Sequence, residues 1–217
     1  MALVVRAFRG TQSHAILFDA GPVDFAVEYN GTRLGIEFCS VDAAVLSHGH
    51  WDHAGGLPMA LELITKANGG HPIPCYLHPG MFRQRALPLP GGALLPIREI
   101  PSPDDLAAKG AVPVVTKEPQ ILLDEMFFVS GEIPRVTSYE KGFPGHKRRS
   151  EDGTSWEDDP LIMDERFLAA QVRGKGIVVF TACSHAGVVN VLKHAQSSFP
   201  SIPLHAVAGG FPPGGRQ

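Results

Sequence analysis

The stretch that decides the fold is Val45-Leu46-Ser47-His48-Gly49-His50-Trp51-Asp52-His53-Ala54-Gly55-Gly56-Leu57. An apolar run ends in three histidines and one aspartate within six residues, and glycines and a periodic apolar segment follow. On a strand, side chains two apart share a face, so the spacing predicts that His48 and His50 point together as Val45 and Leu46 enter the core. A turn after them brings Asp52 and His53 round to the same spot. Three imidazoles and a carboxylate make a donor set suited to zinc, and also to iron, nickel or manganese. The bland reading is an ordinary polar turn. Four metal-ligand side chains crowded at a strand end weigh against it.

Working outward, the pattern of strand, tip and helix recurs. Gly176-Ile177-Val178-Val179-Phe180-Thr181 reads as a strand that delivers Ala182-Cys183-Ser184-His185-Ala186-Gly187. Val188, Leu192 and Ala195 then mark a helix stripe. Two such tips meeting would set His185 opposite His48 and His50. Cys183 reads as a core or supporting thiol, since its neighbours are small and apolar. Upstream, Ala15-Ile16-Leu17-Phe18 is a buried strand closed by Asp19-Ala20-Gly21-Pro22. Asp19 either orients a metal-bound imidazole or water, or merely caps the Gly-Pro turn.

Elsewhere the chain is loop-rich, with 24 glycines and 19 prolines. Leu57, Leu61 and Ile64 predict a helix stopped by Asn68-Gly69-Gly70. Ile73 to Leu77 reads as a short strand ending at His78, which either faces the cleft or is an ordinary surface residue. Arg83 to Gly110 has no clean periodicity beyond one helical turn at Asp104 to Ala108. Val112 to Thr116 and Ile121-Leu122 read as successive strands, in a hairpin or on two edges of the second sheet, and Phe127 to Ser130 as another. Asp24 to Asn30 is too mixed to assign. Tyr139 to Pro160 carries Lys147, Arg148 and Arg149, then several acids, and reads as a solvated loop. A loop of that length suggests a substrate flap anchored by Trp156, with the basic triplet and Arg135 as substrate or phosphate contacts.

Composition narrows the class. The chain has 217 residues and net charge −3, enough for one domain over 1–211 and without a basic stripe for nucleic acid. Three scattered cysteines argue against a disulfide scaffold and fit a reducing cytoplasm. No secretory leader or membrane span is expected, because Arg6 and Arg9 interrupt the first apolar run. Exposed sheet edges leave room for a homo-oligomer.

His48-Gly49-His50-Trp51-Asp52-His53 resembles the His-x-His-x-Asp-His signature of the metallo-beta-lactamase superfamily. The resemblance implies an α/β fold of the αβ/βα sandwich type, two mixed sheets with outer helices. Ile16 to Gly21, Gly131-Glu132-Ile133-Pro134-Arg135, Asp158 to Leu161, Asp164-Glu165, Cys183 to Gly187 and Gly209-Gly210-Phe211 narrow it. They are similar to the branch named for 7,8-dihydropterin-6-methyl-4-(beta-D-ribofuranosyl)-aminobenzene-5'-phosphate synthase. That branch implies metal ligation by His48, His50, Asp52, His53 and His185, supported by Asp19. One or two divalent ions are expected, zinc foremost, the first on His48, His50 and His185 and the second on Asp52 and His53. The favoured chemistry is hydrolysis of a small soluble ester-like or phosphate-bearing substrate by metal-activated water aimed by Asp52. The alternatives are transfer with C–N bond formation to a pterin acceptor, or a metal-binding protein of this fold without turnover. Where the branch continues Gly-Gly-Phe with a histidine ligand, this chain has Pro212 and a Pro/Gly tail over 212–217, read as disordered. His205 is the nearby substitute. A shortened C-terminus and a weakened second metal position are therefore expected.

Overall fold

The computed structural model describes residues 1–211, and the chain divides into two compact units. The first comprises Met1–Phe82 and Ile100–Lys117, and the second Arg83–Glu99 and the chain from Glu118 onward. In chain order the elements are β1 (Ala2–Arg9), β2 (Gln12–Ala20), α1 (Asp24–Arg33), β3 (Ala43–Val45), α2 (Trp51–Ala54), α3 (Leu57–Ala67), β4 (Ile73–Leu77), β5 (Arg85–Pro88) and β6 (Leu94–Pro96). They continue with α4 (Pro103–Ala107), β7 (Ala111–Val115), β8 (Gln120–Leu122), β9 (Phe127–Val129), β10 (Lys147–Arg149), β11 (Trp156–Asp158), β12 (Leu168–Val172), β13 (Gly176–Thr181), α5 (Val188–Ser198) and β14 (Leu204–Gly209).

The first unit is built on one mixed sheet in the order β1-β2-β3-β4-β7. β1 runs antiparallel to β2, and every other pairing is parallel. β3 lies at the centre, pairs on both sides and is buried throughout, so its sequence is a continuous apolar run rather than an alternating one. α3 buries Leu57, Ala60, Leu61 and Ile64 in a cluster with Leu17, Leu46, Cys75 and Leu77. Each of its large aliphatic side chains contributes about 1.5–3 kcal/mol by leaving water. Pro113 sits on β7, an edge strand, where a missing N–H is tolerated. α1 is a helix that the periodicity did not show. It buries only Gly31 and leaves Phe25 and Tyr29 exposed, so it has no apolar stripe to read.

The second unit holds two sheets. One is mixed, in the order β14-β13-β12-β9-β8, with only β13 and β14 parallel. Its core joins Ile133, Phe167, Ala169, Ile177 and Val179 to Val191 and Ala195 of α5. The other is a small antiparallel sheet, β11-β10-β5-β6.

Three expectations require correction. The supposed loop between Tyr139 and Pro160 contains β10 and β11, paired with each other and joined to β5. Opposite charges face each other across that pairing, which suits a sheet as well as a loop. The supposed loop from Arg83 contains the β5–β6 pair. Val112 to Thr116 and Ile121-Leu122 do not form a hairpin: β7 joins β4 in the first unit, whereas β8 joins β9 in the second. The 212–217 tail, Pro212 included, lies outside the described residues. Among the described residues no helix is long and apolar enough to cross a membrane.

Candidate metal centre

In the first unit, β3 ends at Val45 and the chain bends at His48-Gly49 before α2. His48 and His50 therefore come together through a bend, not through strand alternation. Their ring atoms Nε2 and Nδ1 stand 3.1 Å apart. Gly49 makes the bend possible, because a Cβ there would collide with the Met81 main chain. His50 precedes α2 with an extended backbone, and the helical turn lifts Asp52 and His53 beside it. The His53 ring centroid lies 4.4 Å from that of His48, and His53 Nε2 lies 3.3 Å from Asp52 Oδ2.

Asp19 sits beneath these rings at the end of β2. Its carboxylate is buried and accepts from the Ser47 N–H at 2.8 Å and the Ser47 hydroxyl at 2.9 Å. The same carboxylate faces His53 Nδ1 at 2.6 Å. Ser47 Oγ in turn lies 2.9 Å from His48 Nδ1. The hydrogen-bond chain is self-consistent in one direction only. A carboxylate cannot donate, so the Ser47 hydroxyl donates to it and accepts from His48 Nδ1–H, while His53 Nδ1–H donates to Asp19. Both imidazoles then carry a proton on Nδ1; His48 turns an Nε2 lone pair outward, the form a metal requires, while His53 Nε2 donates to the Asp52 carboxylate. Ser47 was not singled out by the sequence, since a serine beside a histidine has no signal of its own.

The exposed Asp52 carboxylate is pulled down to about 2, chiefly by its hydrogen bond to His53 and despite partial burial, so it is anionic at neutral pH. The donors fit a divalent ion: the outward Nε2 of His48, the His50 and His53 rings and an anionic carboxylate, all borderline or hard ligands. His48, His50 and His53 belong to groupings able to hold a metal ion. The set is compatible with metal-activated chemistry on a small substrate. His78, also in this unit, is buried, and its Nδ1 accepts from the Gly80 N–H at 3.0 Å.

In the second unit, β13 ends at Thr181 and the Cys183-Ser184-His185-Ala186-Gly187 loop leads into α5. Cys183 and His185 are both metal-type donors. The His185 ring stacks on Phe143 at 5.8 Å between centroids. The buried Glu165 accepts from the N–H groups of His185 at 2.9 Å and Ala186 at 2.6 Å. Burial pushes its carboxyl up to about 7, against the pull of those N–H groups and of Arg135. Glu140 accepts from Val189 N and Asn190 N in the first turn of α5, taking the place of an N-cap side chain that Gly187 lacks. Asn190 accepts from Val136 N and Thr137 N and donates to the Ala186 carbonyl. Glu165 entered only as part of the resemblance and without a role, and Glu140 and Asn190 not at all, because an acid or amide far along the chain gives no local sign of which amides it will meet.

The remaining candidates are engaged structurally. Arg135 donates to the carbonyls of Ile133 and Leu161. Lys147 pairs with Asp158 at 2.6 Å and Arg148 with Glu157 at 3.4 Å. Arg149 lies over the Trp156 ring at 4.3 Å and donates to Gln84. His205 is exposed on β14.

A family model described as the metallo-beta-lactamase superfamily matches residues 2–146. Over 198 residues the chain is 30% identical to the 7,8-dihydropterin-6-methyl-4-(beta-D-ribofuranosyl)-aminobenzene-5'-phosphate synthase of Methanocaldococcus jannaschii, covering 90% of this chain and 64% of that protein. It is 32% identical over 197 residues to an uncharacterized protein of the same organism, covering 90% and 67%. The chain thus spans about two thirds of the length of these relatives. Among solved structures, an N-acyl homoserine lactone lactonase is similar at 13% identity and a TM-score of 0.47, with 96% of this chain and 88% of that one covered. Over most of its length, and with the α/β architecture and mixed sheets the signature implied, this chain belongs to the metallo-beta-lactamase superfamily.

Proposed function

We propose that this chain is a metal-dependent enzyme of the dihydropterin-synthase type, which joins a dihydropterin carbon to the nitrogen of an aminobenzene acceptor. The observation that carries this reading is the 30% identity over 198 residues to a synthase whose name specifies such a product. His48, His50 and His185 hold one ion in this reading, and Asp52 with His53 a second, with Asp19 fixing the rings. Cys183 is assigned the part of a supporting thiol. When bound, a divalent ion supplies Lewis acidity toward phosphate or leaving-group oxygens. The chain's own contribution is proton handling and orientation. In the C–N step the acceptor nitrogen attacks the pterin methylene, the leaving oxygen departs with its bonding electrons, and the nitrogen loses a proton. The anionic Asp52 carboxylate orients that N–H by accepting its hydrogen bond, and the proton passes to water. Asp19 and Ser47 hold the Nδ1 protons of His48 and His53 and so orient both rings.

The test has two stages. Elemental analysis of protein purified without added metal gives atoms per chain, and zero atoms in a well-folded sample sinks the reading. The metal-loaded protein is then offered a dihydropterin with a hydroxymethyl or activated side chain together with an aminobenzene ribose phosphate, and product is followed by mass. Coupled product only when both are present supports transfer. Cleavage of simple esters or phosphates without any acceptor supports the hydrolase instead. Metal without turnover in either assay leaves a metal-binding protein of this fold.

A further inference from the structure

We propose that Glu165 is the positioning residue of His185, fixing the backbone that presents the imidazole and so setting the metal affinity of the centre. The inference rests on the reading above that His185 is a ligand. The loop carrying His185 is not held by regular structure. β13 has ended at Thr181 and α5 begins only at Val188. Ser184 and Gly187 both adopt left-handed backbone angles, φ +52° and +88°, which are unfavourable for serine and demand an external constraint.

Glu165 supplies that constraint. It is 1% exposed, and its two oxygens each accept one of two consecutive N–H groups, His185 and Ala186. Gripping adjacent peptide planes with one carboxylate fixes the backbone on both sides of the His185 Cα, and hence the direction of its Cβ. Two hydrogen bonds made to one buried side chain constrain two peptide planes at once, so the grip is stiff. The acid is itself anchored. Its N–H donates to the Ile162 carbonyl at 3.1 Å, and Arg135 binds the carbonyls of Leu161 and Ile162. Its neighbour Asp164 forms a buried pair with Arg85 at 2.6 Å. From the other side, Ser184 Oγ donates to the Gly210 carbonyl at 2.9 Å.

Glu140 provides the contrast. It also binds two backbone N–H groups, but those belong to Val189 and Asn190, within α5. Glu140 caps the helix, whereas Glu165 holds the ligand-bearing loop. If Glu165 merely satisfied two buried amides, its loss would lower stability and nothing else.

The test uses the full chain stripped of metal and titrated with Zn²⁺ against a chromophoric chelator, and with Co²⁺ by its visible spectrum. Denaturant midpoints of the metal-free proteins are measured alongside. Glu165→Gln is expected to raise the zinc Kd about 10–100-fold and to alter the cobalt spectrum. Glu140→Gln is expected to lower the midpoint while leaving the Kd within about twofold of wild type. Glu165→Asp keeps the carboxyl but retracts it by a methylene, and is expected to weaken zinc likewise. If Glu165→Gln does not fold, this variant decides the matter. His185→Ala separates the two layers of the argument. Wild-type affinity in His185→Ala overturns the ligand assignment itself. Weakened affinity there with wild-type affinity in the folded Glu165 variants overturns the positioning role alone. Equal weakening in Glu140→Gln overturns it too, because general loosening would then explain the effect.

Discussion

Exchanging the Asp19 carboxylate for its isosteric amide, Asp19→Asn, turns one oxygen into an NH₂ group and leaves the shape of the site unchanged. Oδ1 accepts from the Ser47 N–H, and the amide oxygen takes that role. The NH₂ group then replaces Oδ2, which faces His53 Nδ1 at 2.6 Å and the Ser47 hydroxyl at 2.9 Å. An amide nitrogen can only donate there. His53 must therefore present a bare Nδ1 and hold its proton on Nε2. Ser47 must reverse as well, donating to His48 Nδ1, which drives the His48 proton onto Nε2. One amide thus removes the Nδ1 proton from both rings and leaves each with its proton on Nε2. Losing a charge-assisted hydrogen bond costs about 1.5–3 kcal/mol of stability. Metal affinity is expected to fall about 10–100-fold, which corresponds to about 1.4–2.7 kcal/mol. Asp19→Ala strands the Ser47 and His53 donors and costs more stability, about 3–5 kcal/mol. Zinc competition titration gives the affinity, and ¹⁵N shifts of the imidazoles report the tautomers. Zinc affinity within about twofold of wild type, with Nδ1 still protonated in both rings, refutes the reasoning.

Asn190→Ala removes an acceptor for two N–H groups and a donor to one carbonyl, all in the second unit. It is expected to cost about 2–4 kcal/mol in denaturant unfolding, and Asn190→Asp should not rescue it, because a carboxylate oxygen would then face the Ala186 carbonyl. Gly187→Ala places a Cβ on the Glu140 carboxylate at φ +88°. A loss of roughly 2 kcal/mol or more is expected from strain and the displaced helix cap, and Glu140→Ala in the same background should add little further. His194 is held below its ordinary 6.5 by burial, so the unfolded chain takes up the proton first as pH falls. Its contribution to stability is present above 6.5 and is lost as pH drops through the depressed folded value. Denaturant midpoints on either side of that window should converge in His194→Gln, and an unchanged pH slope counts against the assignment.

The first unit was legible because its information is local. The histidines, the aspartate and the helix stripe of Leu57, Leu61 and Ile64 lie within one short run, and periodicity reads such runs well. α1 was invisible because it buries almost nothing. β10 and β11 were hidden for a different reason. Lys147, Arg148 and Arg149 look like a solvated basic run until their partners Asp158, Glu157 and Trp156 arrive from across the sheet. Cross-strand complementarity is a property of pairs separated along the chain. A single pass along the sequence sees each half only as charge.

The same distinction separates ligands from what holds them. Metal-type side chains announce themselves at strand tips, since few other residues gather there. Their supports do not, because a supporting acid is chosen by the geometry of the folded chain and not by its neighbours in sequence. Asp19 in the first unit and Glu165 in the second are supporting acids of this kind, and they work differently. Asp19 acts on side chains, holding the Nδ1 proton of His53 and, through Ser47, that of His48. Glu165 acts on the main chain, fixing the peptide planes around His185. Asp19 was readable as a candidate because it closes a strand in a recognisable motif. Glu165 sits among Asp164 and Arg166, where charge of both signs suggests an exposed turn, yet all three are buried. A charged run that the fold buries has to be neutralised by specific partners, since an uncompensated buried ion costs several kcal/mol. Such a run is therefore a better guide to hidden supports than any pattern of apolar residues.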